Sequence, residues 1–195
     1  MGELTVVENV TLDGVAQAPG RPDEDTRGGF TAGGWAVEAL ARDPEAARAA
    51  MPAAPPAGLL FGRRTYEDLV GFWLNAPGPN PFADILRATP KYVVSSDAAT
   101  SLVHPTSTLL AGDPVSTVGT LKQQVAGDLV VLGSLALVHT LAAAGLVDRY
   151  VLTHVPVVVG GGTRLFGATP TRLEVERSTT SGSGIVVATY RVLDV

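Results

Sequence analysis

Not one of the 195 residues is a cysteine. Disulfides, thiolate zinc sites, iron–sulfur clusters and cysteine nucleophiles are excluded together. Histidine is almost as scarce. His104, His139 and His154 lie far apart, without the H-x-x-x-H or H-x-E spacing of a histidine metal centre, so no metal is expected. Charge is also sparse: 17% of residues are Asp, Glu, Lys or Arg, and the net charge is −5. No basic stripe exists, which sets nucleic acid aside as a partner. No apolar run reaches the roughly 18 residues of a membrane helix. Met1-Gly2-Glu3-Leu4-Thr5 has no positive region ahead of an apolar one, so no signal peptide is expected. Those absences leave a cytoplasmic enzyme as the expectation. Two common sites are missing as well. No G-x-G-x-x-G follows the first apolar run, and no G-x-S-x-G elbow occurs. Residues 162–169 have P-loop spacing, but Ala168 stands where the lysine is required.

What is present is a compact chain, 46% apolar, of a length that suits a single domain over residues 1–195. Residues 4–10 form a β-branched run and predict a first strand. Residues 18–34 are rich in Gly, Pro, Asp and Arg, lack periodicity and predict a long functional loop. Residues 35–41 look helical. Asp43-Pro44-Glu45 and Asp113-Pro114 are helix starts, with a capping carboxylate and a proline at the first helical position. They predict helices to about Met51, ended by residues 52–56, and to about Val125. Residues 58–61, 91–95, 107–110, 129–132, 149–154 and 157–159 predict strands, and 64–70, 82–88 and 135–144 helices. Residues 171–178 and 184–192 predict a terminal antiparallel pair around a Gly/Ser turn. Strands and helices alternate to about residue 155, which predicts a mostly parallel α/β sheet with an antiparallel edge.

Leu60-Phe61-Gly62-Arg63-Arg64-Thr65-Tyr66 is the strongest local signal. A strand ends where backbone N–H groups, guanidinium forks and a hydroxyl meet a helix start, an arrangement suited to phosphate. Val94-Ser95-Ser96 and Leu132-Gly133-Ser134-Leu135 repeat the theme. Three such strand ends suggest one nucleotide lying along one sheet edge. Asp13-Gly14 is a carboxylate just after a strand, and equally an ordinary turn. Trp35 is a core anchor that could also face a substrate. Gly160-Gly161-Gly162 permit close backbone approach, to a ligand or to another segment.

Taken in order, Thr11-Leu12-Asp13-Gly14, the Gly62-Arg63-Arg64-Thr65 segment, Ser95-Ser96, Gly133-Ser134-Leu135 and Pro156 to Phe166 resemble the dihydrofolate reductase-like superfamily. The nearest branch is the reductase domain of the bifunctional riboflavin-biosynthesis deaminase-reductases, with its stand-alone bacterial relatives. That resemblance implies a dihydrofolate reductase-like mixed sheet of about eight strands with flanking helices. It implies NADPH as cofactor, hydride transfer and a homodimer. Gly62, Arg63, Arg64 and Thr65 would hold phosphates, Ser95 and Ser96 would lie by the 2′-phosphate, and Gly133, Ser134 and Leu135 would bind the pyrophosphate. Ala16 would border the nicotinamide. Gly14, Trp35, Gly161 and Gly162 would line the substrate, with Asp13 as the catalytic carboxylate. The substrate implied is a small heterocycle of the ribosylamino-pyrimidine kind. Gly133-Ser134 departs from the Gly-Gly pair of folate reductases, and only Glu38 lies near their first-helix carboxylate. A folate reductase proper and a non-catalytic NADP-binding protein stay open as alternatives.

Overall fold

The structure is a computed structural model that describes residues 2–51 and 54–193. Its strands are β1 (Leu4–Thr11), β2 (Gly58–Gly62), β3 (Lys91–Ser95), β4 (Ser107–Ala111), β5 (Leu129–Val131), β6 (Arg149–Val155), β7 (Arg172–Thr180) and β8 (Val186–Leu193). They form one sheet in the order β4-β3-β2-β5-β1-β6-β8-β7. The pairs from β4 to β1 are parallel, and β6–β8 and β8–β7 are antiparallel. The mixed, mostly parallel sheet with an antiparallel C-terminal edge is therefore as expected. The chain forms two compact units, the first Met1–Val6 with Ala53–Asp148, the second Val7–Pro52 with Arg149–Val195.

In the first unit β2 and β5 are buried at every residue. Parallel strands covered on both faces need continuous apolar runs, and Leu59-Leu60-Phe61 and Leu129-Val130-Val131 supply them. Two lysines sit inside without breaking the rule that buried charge needs partners. Lys91 Nζ donates to the carbonyls of Leu86 (2.6 Å) and Thr89 (3.1 Å) and to Thr106 Oγ1 (2.8 Å). Lys122 Nζ donates to the Leu146 carbonyl and to Asp148, whose carboxylate also accepts the Leu4 N–H.

Helix starts here follow local chemistry. Asp113 accepts from Ser116 N at 2.8 Å ahead of the helix Pro114–Gln124. Asn80 caps Pro81–Ala88 by accepting from Phe82 N and Ala83 N. The helix expected over 64–70 is longer. It runs as α-helix over Arg63–Thr65, π-helix over Tyr66–Val70 and α-helix again over Gly71–Asn75. Gly71 does not stop it, because Tyr66 and Val70 bury one face and the aromatic residues beyond pack onto Phe82: the Trp73 and Phe82 rings lie 5.5 Å apart.

In the second unit Asp43 caps the helix Pro44–Ala49 through Ala46 N at 2.9 Å. Its carboxylate also accepts the Ser183 hydroxyl of the terminal turn. The Ser181 and Ser183 hydroxyls, with the Ala46 amide, pull its pKa down to about 2. Ala46 packs with Ile185 and Val187 of the terminal hairpin. Pro52, expected to help end this helix, lies outside the described residues, and the helix is already over at Ala49. The expected strand over 157–159 is absent. Pro156 offers no N–H, and the segment beyond it binds the turn after β1: Leu12 N donates to Val157 O at 2.9 Å. The loop over 18–34 buries more than its composition suggests. Phe30 packs with Val15 and Ala18, and the Gln17 amide donates to the carbonyls of Asp25 and Arg27.

Candidate functional site

The expected phosphate-binding residues all lie in the first unit. Gly62 ends β2, Ser95 ends β3 with Ser96 just beyond, and Gly133-Ser134 follow β5; the three strands are adjacent and parallel, so their C-terminal ends share one sheet edge. The end of β2 is locked to the end of β5: Gly62 N donates to Gly133 O at 3.1 Å. The approach at 62 is close: a Cβ there would meet Ser134 Oγ, which would have to move. Gly133 has φ 88, which favours glycine, and the Gly133–Ser134 peptide is cis. Ser134 is extended and leads into the helix Leu135–Ala143, whose N-terminus no side chain caps. Its first-turn N–H groups, Leu135 included, therefore lack a side-chain acceptor and offer the positive end of the helix dipole. Arg63 Nη1 lies 3.0 Å from both carboxylate oxygens of Glu67, on a half-exposed surface. Thr65 is half-buried and Arg64 exposed. Ser95 and Ser96 part company. Ser95 is buried, 2.8 Å from Thr100 Oγ1 and accepting from Asp97 N, whereas Ser96 is exposed. A glycine crossing that a Cβ would fill, an open helix start and a half-exposed guanidinium together fit a pyrophosphate-bearing nucleotide.

The remaining expected residues lie in the second unit, around the turn after β1. Asp13 accepts from Thr11 Oγ1 at 2.6 Å, from Gly160 N at 2.9 Å and from Val159 N at 3.3 Å. These donors, the Thr11 hydroxyl first, hold its carboxyl below the usual range. Gly14, with φ 82, turns the chain so that its carbonyl accepts from Leu165 N, and Ala16 N donates to Thr163 O at 3.0 Å. The turn is thus clipped to residues 157–165. Gly162 is explained by packing: a Cβ there would meet the Phe30 ring and Val15. Gly161 is exposed with open space around it. Trp35 packs on the Val15, Ala18 and Phe30 cluster and donates from Nε1 to Gln17 O at 2.8 Å.

One residue here escaped sequence reasoning. Glu8 lies on β1, on the same face as Leu4, Val6 and Val10, which are at most 3% exposed. Burial first, and the charge of Glu24 second, push its carboxyl up to about 8. The signal was legible: a lone carboxylate inside a β-branched strand.

The family model described as the RibD C-terminal domain matches residues 3–187. No curated protein matches the chain. A solved protein of Shewanella sp. PV-4 assigned to riboflavin biosynthesis is 19% identical, covers 100% of both chains and superposes with a TM-score of 0.65. A pyrimidine reductase-like protein of Corynebacterium diphtheriae is 14% identical, with 100% of this chain and 93% of that one covered and a TM-score of 0.60. Dihydrofolate reductase of Enterococcus faecalis, solved in complex with NADP(H) and RAB-propyl, is 14% identical over 99% of this chain and 98% of its own, with a TM-score of 0.56. At these identities the likeness is one of fold.

Proposed function

The chain belongs to the RibD C-terminal domain family, and on that premise we propose that it is an NADPH-dependent reductase. Its substrate in this reading is a small heterocycle of the ribosylamino-pyrimidine type, such as 5-amino-6-(5-phosphoribosylamino)uracil. The observation that carries the reading is the family match over residues 3–187. The phosphate-side geometry supports it, as does the presence of NADP(H) in a reductase of the same fold.

In this reading the helix start at Ser134-Leu135 and the Gly62–Gly133 crossing receive the pyrophosphate. Arg63 and Thr65 bind its oxygens, and Arg64 and the exposed Ser96 meet the 2′-phosphate, with Ser95 holding that loop in shape. Ala16 borders the nicotinamide. Gly14, Trp35, Gly161 and Gly162 shape the substrate side. Asp13 serves turnover by position: its three accepted hydrogen bonds keep the turn 11–15 in register with residues 157–160. NADPH when bound supplies the hydride, and the protein supplies orientation and electrostatics.

The test is NADPH oxidation by the purified protein with the aminopyrimidine, and separately with dihydrofolate. Oxidation with the pyrimidine alone is the expected result. Oxidation with dihydrofolate alone would replace this substrate assignment, and tight NADPH binding without any turnover would replace the enzyme assignment.

A further inference from the structure

We propose that Glu8 is the proton donor of the reduction, delivering its carboxyl proton to the heteroatom of a carbon–heteroatom double bond in the substrate. This rests on the reductase reading above.

Three observations place the group. First, Glu8 shares a strand face with Leu4, Val6 and Val10, all sealed, yet Glu8 itself is partly exposed. Second, among the described residues it makes no hydrogen bond or ion pair, and no side-chain nitrogen or oxygen there is both sealed from solvent and unbonded. Its carboxyl therefore ends in accessible space while the protein strips most of its water. Third, it lies in the C-terminal half of β1, an inner strand of the sheet that pairs in parallel with β5, two residues before the Val10-Thr11 entry to the Asp13 turn. Ligands of open α/β sheets sit beyond the carboxyl ends of such strands. A structural carboxylate in this position would have a partner.

The charged group facing Glu8 is Glu24, from the loop over 18–34. Glu24 Oε2 accepts from Gly20 N at 2.6 Å and Arg21 N at 3.0 Å, which fixes it in place. A second carboxylate nearby favours the neutral form of Glu8, as does its own burial, so the group carries a proton at neutral pH. A donor in that state matches the general-acid requirement of a proton held near the working pH.

Hydride supplied from the reduced nicotinamide bonds to the electrophilic carbon. The π pair of the carbon–heteroatom bond moves to the heteroatom, which takes the Glu8 proton as the Glu8 O–H bond breaks. Glu8 is left as carboxylate and regains its proton from water through the accessible side. Carbon is reduced and the nicotinamide oxidised, with no further reactant.

The experiment compares wild type with Glu8→Gln, using the aminopyrimidine named above as probe and NADPH binding followed by fluorescence. Wild-type kcat should be flat at neutral pH and fall above about 8. Glu8→Gln should bind NADPH unchanged, lose roughly 100- to 10,000-fold in kcat and show no such alkaline limb. Carboxyl-13C NMR of wild type, with and without NADPH, should show one glutamate titrating near 8 that is missing in Glu8→Gln. Wild-type kinetics in the variant, or an alkaline limb that survives in it, overturns the assignment of Glu8 alone. Absence of turnover in wild type overturns the reductase reading and this proposal with it. A wild-type far-ultraviolet circular dichroism spectrum keeps misfolding from passing as a loss of the donor.

Discussion

Arg63 is held at rest by a weak partner. Its exposed pair with Glu67 is an i,i+4 contact, worth about 0.3–0.5 kcal/mol. A charge-assisted hydrogen bond to phosphate contributes about 1.5–3 kcal/mol, so the guanidinium should leave Glu67 for a bound nucleotide. Arg63→Ala should weaken NADPH by that larger amount, measured by titration, and Glu67→Gln should leave binding equal or tighter. A loss of binding in Glu67→Gln would mean that the pair, not the free guanidinium, is what the nucleotide uses. Glu8 sets a different dependence. Between the ordinary carboxyl range and about 8 the folded protein keeps a proton that the unfolded chain has released. Protons bound in the folded state exceed those in the unfolded one, so stability falls as pH rises through that window and levels off above it. Thermal midpoints should descend over that range in wild type, and the difference between wild type and Glu8→Gln should follow the same window. A difference that is independent of pH would contradict the assigned protonation.

At the scale of elements, the crossing of β2 with the β5 end is the tightest feature of the phosphate side. Gly62→Ala forces a methyl into Ser134, and overpacking of this kind costs about 1–3 kcal/mol. The variant should melt lower and bind NADPH more weakly; unchanged melting would show that the crossing is slack. Asp13→Ala should free the turn, with faster hydrogen exchange at the Val159 and Gly160 amides that now donate to it. What the sequence made legible follows from where the determinants lie. Asp43-Pro44 and Asp113-Pro114 carry cap and first helical residue side by side, so both helices started where expected. The β-branched run at 157–159 was misread because its partners, the Leu12 amide and the Asp13 carboxylate, are nearly 150 positions away in sequence. The helix beyond Val70 was missed because Gly71 punctuates the sequence, while the Trp73–Phe82 contact that sustains it is tertiary. The Gly62, Ser95 and Gly133 motifs were recognisable as strand ends, and the topology set them along one edge. A lone carboxylate in the β-branched run marks Glu8 in the sequence, but that it lacks a partner shows only in the fold.

For the molecule as a whole, assembly is the open expectation. Edge strand β7 is exposed along nearly all its length, with a bulge between Val175 and Arg177 and the charges Arg172, Glu174, Glu176 and Arg177. Bulges and charges guard an edge against strand addition. Glu176 is in turn held by Arg149 and Arg191, which keep its carboxyl below the usual range. A homodimer formed by the late strands should therefore use a face and not β7 backbone pairing, and should bury more than roughly 1,200 Å² in total. Light scattering should give about twice the 20.1 kDa chain mass; a value at that mass would end the dimer. A fluorescence titration of the purified protein with NADPH and NADH side by side tests the cofactor assignment. Both should bind saturably, with NADPH clearly tighter, because the Arg64 guanidinium and the Ser96 hydroxyl meet a 2′-phosphate that NADH lacks. Equal affinity would contradict the phosphate assignment, and binding of neither would contradict the reductase itself.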